Sequence, residues 1–290
     1  MSWCSLGCDS TSDRQYGNKQ TNEESGNDPV RNVGLGTIID ADQANQESEA
    51  DKIRNADIRI LFIGNSHTYF HNLPNLVARM MEHQHSETKV YSKTVGVEFL
   101  EEVGNDPMYR KELESQPWNF VVLQAQKISM SGKYEYSKQE GIDFAKLAKS
   151  RGATVYFYSE WGRQGVEGDG VTIEKIYESM AQAADVSLAP VGRAWDIALA
   201  EKPDLAMYAV DGNHQSEIGV FLTAAVFCGQ LTGESPASLA SFEHESLDLS
   251  TREFLAKAAA KALAPKAVGS NQPCSFMVLQ PETLDRLGGG

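Results

Sequence analysis

The chain has 290 residues, 41% of them hydrophobic and 23% charged, with a formal net charge of −14. That length suits one globular domain of about 200–250 residues with extra segments. A surface this acidic argues against partners that are nucleic acids or anionic membranes.

Residues 1–55 are rich in Ser, Asn, Asp, Glu, Gln and Gly and have few large apolar side chains. Such a composition buries too little surface to offset ordering entropy, so a disordered tail is expected, with "VGLGTIID" as its one apolar patch. Localisation stays open. If the true start lies upstream of Met1, "SLGC" resembles the end of a lipoprotein signal, with Cys8 lipidated and the protein exported; otherwise it is cytoplasmic. No run of about 18 apolar residues encodes a transmembrane helix. Cys4, Cys8, Cys228 and Cys274 match neither a zinc site nor a CxxC pair, and Cys228 reads as a core residue.

From residue 57 on, short apolar runs alternate with helical patterns. "IRILFIG" (58–64) reads as a strand buried on both faces. "NLPNLVARMMEHQ" (72–84) is a helix, with Asn72 as cap and Pro74 in the first turn. "KVYSKTV" (89–95) is a second strand, "DPMYRKELESQ" (106–116) a polar helix and "FVVLQ" (120–124) a third strand. A helix over 137–152, a strand over 154–161, a helix over 172–185 and a strand over 187–192 follow. Helices over 216–233 and 251–265 close the pattern. Alternating strands and helices predict an α/β three-layer α/β/α sandwich. Five strands suit a doubly wound parallel sheet of flavodoxin-like order 2-1-3-4-5. The main domain is placed at 56–268 and a C-terminal extension at 269–290.

Sheets of this kind bind ligands at the carboxyl ends of their strands, so Ser66, just past the first strand, stands where chemistry is expected. A lone serine there is more often a helix cap. A second pattern, "DGNHQSEIG", sets Asp211 three residues before His214; a histidine base needs such a carboxylate. "FIGNSHT" and "DGNHQSEIG" together resemble the first and last blocks of the SGNH hydrolases, which include the GDSL lipases and esterases. The G-x-S-x-G of α/β-hydrolases fits less well, because Thr68 stands where the second glycine should be.

The resemblance implies a serine esterase with Ser66 as nucleophile, His214 as base and Asp211 as its partner. It implies no cofactor and a small-molecule or carbohydrate ester as substrate, with small acyl groups such as acetyl. An acyltransferase or a non-catalytic carbohydrate-binding domain on the same fold are the alternatives. It also implies an oxyanion hole made by the amides of Ser66 and Gly96 and by a side chain from the third block. There "VVLQAQ" offers Gln126 or Gln124 in place of the usual asparagine. Asn65, His67, Trp161 and Arg163 are candidate substrate-binding residues, with Trp161 as a sugar-stacking face. His67 and His71 have zinc-ligand spacing but lack the Glu of H-E-x-x-H and a third ligand, so no metal is expected.

Overall fold

The computed structural model describes residues 48–129 and 131–265. Most of the expected tail, Cys4, Cys8, Cys274 and the C-terminal extension lie outside the described residues. Glu49–Asn55, inside the stretch assigned to the tail, forms a helix (α1) capped by Ser48, whose hydroxyl accepts from the Asp51 amide. Glu49 accepts a 2.7 Å bond from the Tyr91 hydroxyl, and Ile53 packs on the core. This segment lacks a continuous apolar run, so its composition alone hid it.

Five parallel strands form one sheet in the order β2-β1-β3-β4-β5, as expected. They are β1 (Ile58–Gly64), β2 (Val90–Gly96), β3 (Phe120–Leu123), β4 (Thr154–Tyr158) and β5 (Ser187–Ala189). In register, Gly64 at the end of β1 lies opposite Gly96 at the end of β2. Side chains alternate across the sheet. Ile60, Phe62, Val122 and Tyr158 face one core with α3 (Leu73–Gln84), α7 (Val191–Glu201), α8 (Glu217–Thr232) and α9 (Leu249–Leu263). Leu61, Ile63, Val121 and Phe157 face the other, with α4 (Pro107–Glu114), α5 (Gln139–Ser150) and α6 (Asp169–Ala184). The three layers expected from the sequence are therefore present.

Two elements differ from that expectation. The fifth strand stops at Ala189, because Pro190 has no amide to donate, and Val191 opens a helix that the strand assignment had absorbed. A four-residue helix, α2 (Ser66–Tyr69), follows β1 directly. It ends at Phe70, and His71 and Asn72 both take left-handed backbone angles before α3 begins. Cys228 is buried in the core, as expected.

Candidate active site

The turn that carries Ser66 is held by its neighbours. Asn65 caps α2, its Oδ1 accepting from the His67 amide at 3.1 Å. The Asn65 amide itself donates to Gln124 Oε1 at 2.9 Å, and the Thr68 hydroxyl donates to the same oxygen at 2.9 Å. Gln124 and Thr68 are fully buried. Gly64 leaves them room: a Cβ there would lie 2.1 Å from Thr68 Oγ1 and 2.7 Å from Gln124 Oε1. Ser66 occupies the first helical position, where the backbone amide has no acceptor inside the helix.

The second half of the site is the 209–215 loop. Asp211 Oδ1 accepts from the amides of Asn213 and His214, both at 2.9 Å, which curls the loop into an Asx-type turn. Asp211 Oδ2 takes a very short bond from His214 Nδ1. His214 Nε2 lies 2.7 Å from Ser66 Oγ. The hydrogen bond from His214, then those from the two amides, hold the Asp211 carboxyl well below the usual carboxylate range. It stays ionised and fixes the Nδ1–H tautomer, leaving Nε2 to accept the Ser66 proton.

The loop is pinned from both sides. Trp161 Nε1 donates to Asn213 O at 2.9 Å, and Gln215 Nε2 donates to Phe70 O at 3.1 Å. Aromatic rings set the plane of His214: Phe70 at 4.4 Å between centroids and His67, stacked, at 5.1 Å. Burial, then repulsion from His214, lower the His67 pKa to about 4. His67 is thus a neutral ring beside His214 rather than a second charge.

The remaining expected residues are placed as follows. Gly96 ends β2 opposite Gly64, near the Ser66 turn, and an added Cβ there would meet nothing within 4 Å. Gln126 Nε2 donates to Ser137 O at 3.0 Å and to Lys127 O at 3.3 Å, so both amide hydrogens are engaged away from Ser66. Gln124 turns its oxygen to the Ser66 turn and keeps Nε2 buried. Neither glutamine presents an N–H to the serine, which departs from the expected side-chain oxyanion donor. Trp161 is 2% exposed and stacks on Trp195 at 3.9 Å, so it offers no open face for a sugar. Arg163 is engaged by Asp169, with Nε–Oδ2 at 2.9 Å and Nη2–Oδ1 at 3.1 Å. His71 lies outside α2 and bonds Glu217 at 2.8 Å and Gln215 O at 3.1 Å. Among the described residues no group of three or more His, Cys, Asp or Glu could hold a metal ion, and no helix is long and apolar enough to cross a membrane.

Phe70, Tyr177 and Glu160 also lie at or near the site, and the sequence patterns did not single them out; Thr68 stood out there only as the residue that breaks G-x-S-x-G. Glu160 is a buried carboxyl just past β4 in "YFYSEW", and a charged residue at the carboxyl end of a buried strand was its visible signal.

No family model matches the chain, and no curated protein matches it. Solved structures do. It is similar to a DUF4886 family protein from Bacteroides uniformis, at 17% identity over 71% of this chain and 94% of that one, with a TM-score of 0.58. The chain shares its fold with that protein. Other matches include a candidate SGNH hydrolase from Slackia heliotrinireducens, at 24% identity over 60% of this chain and 98% of that one, with a TM-score of 0.48. A lipase/acylhydrolase from Enterococcus faecalis matches at 13% identity over 61% and 96%, with a TM-score of 0.47. At 17% identity the likeness to the Bacteroides uniformis protein is one of fold.

Proposed function

We propose that the chain is a serine esterase of SGNH type that hydrolyses small acyl esters through an acyl-enzyme. The observation that carries this reading is the unbroken line from Asp211 through His214 to Ser66 Oγ, 2.7 Å from His214 Nε2. His214 takes the Ser66 proton as Oγ attacks the ester carbonyl, and Asp211 stabilises the imidazolium that forms. The backbone amides of Ser66 and Gly96 hold the oxyanion. His214 then protonates the leaving alcohol, and water releases the acyl group. All of this is done by the chain's own side chains and amides.

For the alcohol we favour a hydroxyl-rich group such as a carbohydrate. The support is a polar groove lined by Arg163, Asp196 and Tyr208. Tyr208 of its lining directly precedes the 209–215 loop in the chain, and Gln164, next to Arg163, donates its amide to Gly212 O at 2.9 Å. The test is labelling with a fluorophosphonate probe, with p-nitrophenyl acetate as substrate. Wild-type protein is expected to be labelled at Ser66 and to turn over. Ser66→Ala is expected to lose both with unchanged circular dichroism. A well-folded wild type that neither labels nor hydrolyses would instead support a non-catalytic binding domain. Acyl transfer to an added sugar in preference to water would support the acyltransferase.

A further inference from the structure

Ser66 and His214 lie 148 residues apart in the chain, yet their side chains meet at 2.7 Å. The Ser66 turn is bonded to Gln124 and the His214 loop to Trp161, but neither bond joins one half of the site to the other. The segments that follow the two residues do join. Gln215 Nε2 donates to Phe70 O at 3.1 Å. His71 Nε2 donates back to Gln215 O at 3.1 Å, and His71 Nδ1 lies 2.8 Å from Glu217 Oε1. A carbonyl oxygen only accepts, so Nε2 carries a proton, and Nδ1 and the carboxylate hold a second between them. Glu217 opens α8, and its other oxygen lies 3.5 Å from His244 Nε2, ahead of α9, so this carboxylate is met from two sides.

The chain takes an unfavourable backbone at this join. His71 has φ 53° and ψ 25°, and Asn72 has φ 51° and ψ 45°. Left-handed angles at two successive residues other than glycine are costly, and they persist only where the surroundings fix them. The pair falls between the end of α2 and the start of α3, and it is there that the His71 ring meets Gln215 and Glu217. The side chains of His71 and Glu217 are 31% and 45% exposed, so their ion pair adds little to stability. Its effect is on geometry. Phe70, bonded through its carbonyl to Gln215, also lays its ring on His214 with centroids 4.4 Å apart.

We propose that His71 is a positioning residue for the triad: its ring clasps the loop that carries His214 to the segment that carries Ser66, and so sets the distance between base and nucleophile. The catalytic consequence rests on the esterase reading; the clasp itself does not.

The test begins with His71→Gly, because glycine takes positive φ freely and keeps the backbone while the ring is removed. The variant is expected to keep the wild-type circular dichroism. It should lose kcat on p-nitrophenyl acetate by about 10–100-fold, the scale for a catalytic group displaced by up to an ångström, with KM within about twofold. A residue needed only for the fold would lower the melting temperature without this split. Hydrogen exchange of the His214 amide, which donates to Asp211 Oδ1 at 2.9 Å, should speed up as the loop loosens. Glu217→Ala removes one of the two partners of the ring and should lower kcat about 3–10-fold. Combined with His71→Gly it should add less than about twofold, because it acts through the same ring. Wild-type kcat, or unchanged exchange of the His214 amide, in His71→Gly would overturn the proposal. So would losses that multiply in the double variant. If His71→Gly does not fold, Glu217→Ala decides: lower kcat with faster His214 exchange upholds the clasp, and a wild-type value of either overturns it. If wild-type protein proves to have no esterase activity, the esterase reading falls, and His214 exchange alone decides the role of His71.

Discussion

Gln124 and Gln126 stand two residues apart at the end of β3, yet their amides serve different partners. Gln126 ties the following loop to its own strand end through Lys127 O and Ser137 O. Gln126→Ala is therefore expected to lower kcat by less than about tenfold, well short of the 10²–10³-fold loss typical of an oxyanion donor. A loss of the larger size on p-nitrophenyl acetate, with KM unchanged, would return Gln126 to the oxyanion hole. Asp211 makes the opposite case. Its carboxyl is held ionised far below neutral pH by His214 and two amides. Asp211→Asn should therefore cost on the order of 10³–10⁴ in kcat, because the wrong histidine tautomer is then favoured. Since the carboxylate does not titrate near neutrality, no limb of the wild-type kcat profile between pH 5 and 9 should belong to Asp211. Glu160 is the residue expected to show in a pH experiment on stability. Its folded pKa, about 7 against the ordinary 4.5, is raised, so the folded state holds the proton longer than the unfolded one. The Glu160 contribution is then greatest at low pH and falls as pH rises between those two values, while His67, with its lowered pKa, contributes in the opposite direction. If the whole shift is realised the fall is about 3 kcal/mol. Urea unfolding at pH 5 and pH 8 should show this fall as the difference between wild-type protein and Glu160→Gln, since the His67 contribution is common to both.

At the scale of elements, the site depends on how β1 hands over to α2. Gly64 is the residue that makes this possible, because a Cβ would strike Thr68 and Gln124. Gly64→Ala should destabilise the fold by about 1–3 kcal/mol, as overpacked cores do, and lower kcat with it. At Gly96, directly opposite in the sheet, an added Cβ would meet nothing within 4 Å. Gly96→Ala should change stability by less than about 1 kcal/mol and keep the backbone amide proposed for the oxyanion. Equal effects of the two substitutions in thermal unfolding would mean that the close approach at Gly64 is not what the glycine is for. The strand order and most elements were legible in the sequence, because β1 and β3 are continuous apolar runs separated by helical spacing. So were the three residues of the proposed triad, since they lie in two short local patterns. The helix Val191–Glu201 was not, because Leu188, Ala189, Val191 and Gly192 read through Pro190 as one apolar strand. The use of Trp161 was not legible either. Whether an indole at a strand end is open or stacked depends on Trp195, a residue distant in the chain, and no local spacing reports that contact. The same holds for Gln124, whose side-chain oxygen is bonded by Asn65 and Thr68, far from it in the chain.

Over the whole molecule, the end of the sheet that carries the proposed triad and the end that carries α1 are separate. Ser66, Gly96, Gln124 and Glu160 all lie at or just past the carboxyl ends of their strands, whereas α1 leads into the amino end of β1. Seven residues of extended β1 separate the two, roughly 20 Å at about 3.3 Å per residue. The amino-terminal boundary can thus be tested for stability without touching the site. Residues 1–47 have the composition of a segment that buries little apolar surface, and their deletion should leave stability within about 0.5 kcal/mol of the full chain. Deletion of residues 1–56 should behave differently. It removes the Glu49 acceptor of the Tyr91 hydroxyl, the bond from Arg59 Nε to Ile53 O at 3.0 Å, and the packing of Ile53 and buried Ala56. Two hydrogen bonds and part of two apolar side chains amount to about 2–4 kcal/mol. Because the loss is at the far end of β1, kcat on p-nitrophenyl acetate should stay within about twofold in both deletions below their melting temperatures. Equal melting temperatures for the two deletions would show that α1 adds nothing to the fold and that the domain begins at β1. A loss of kcat in the longer deletion while the protein remains folded would show that the two ends of the sheet are coupled.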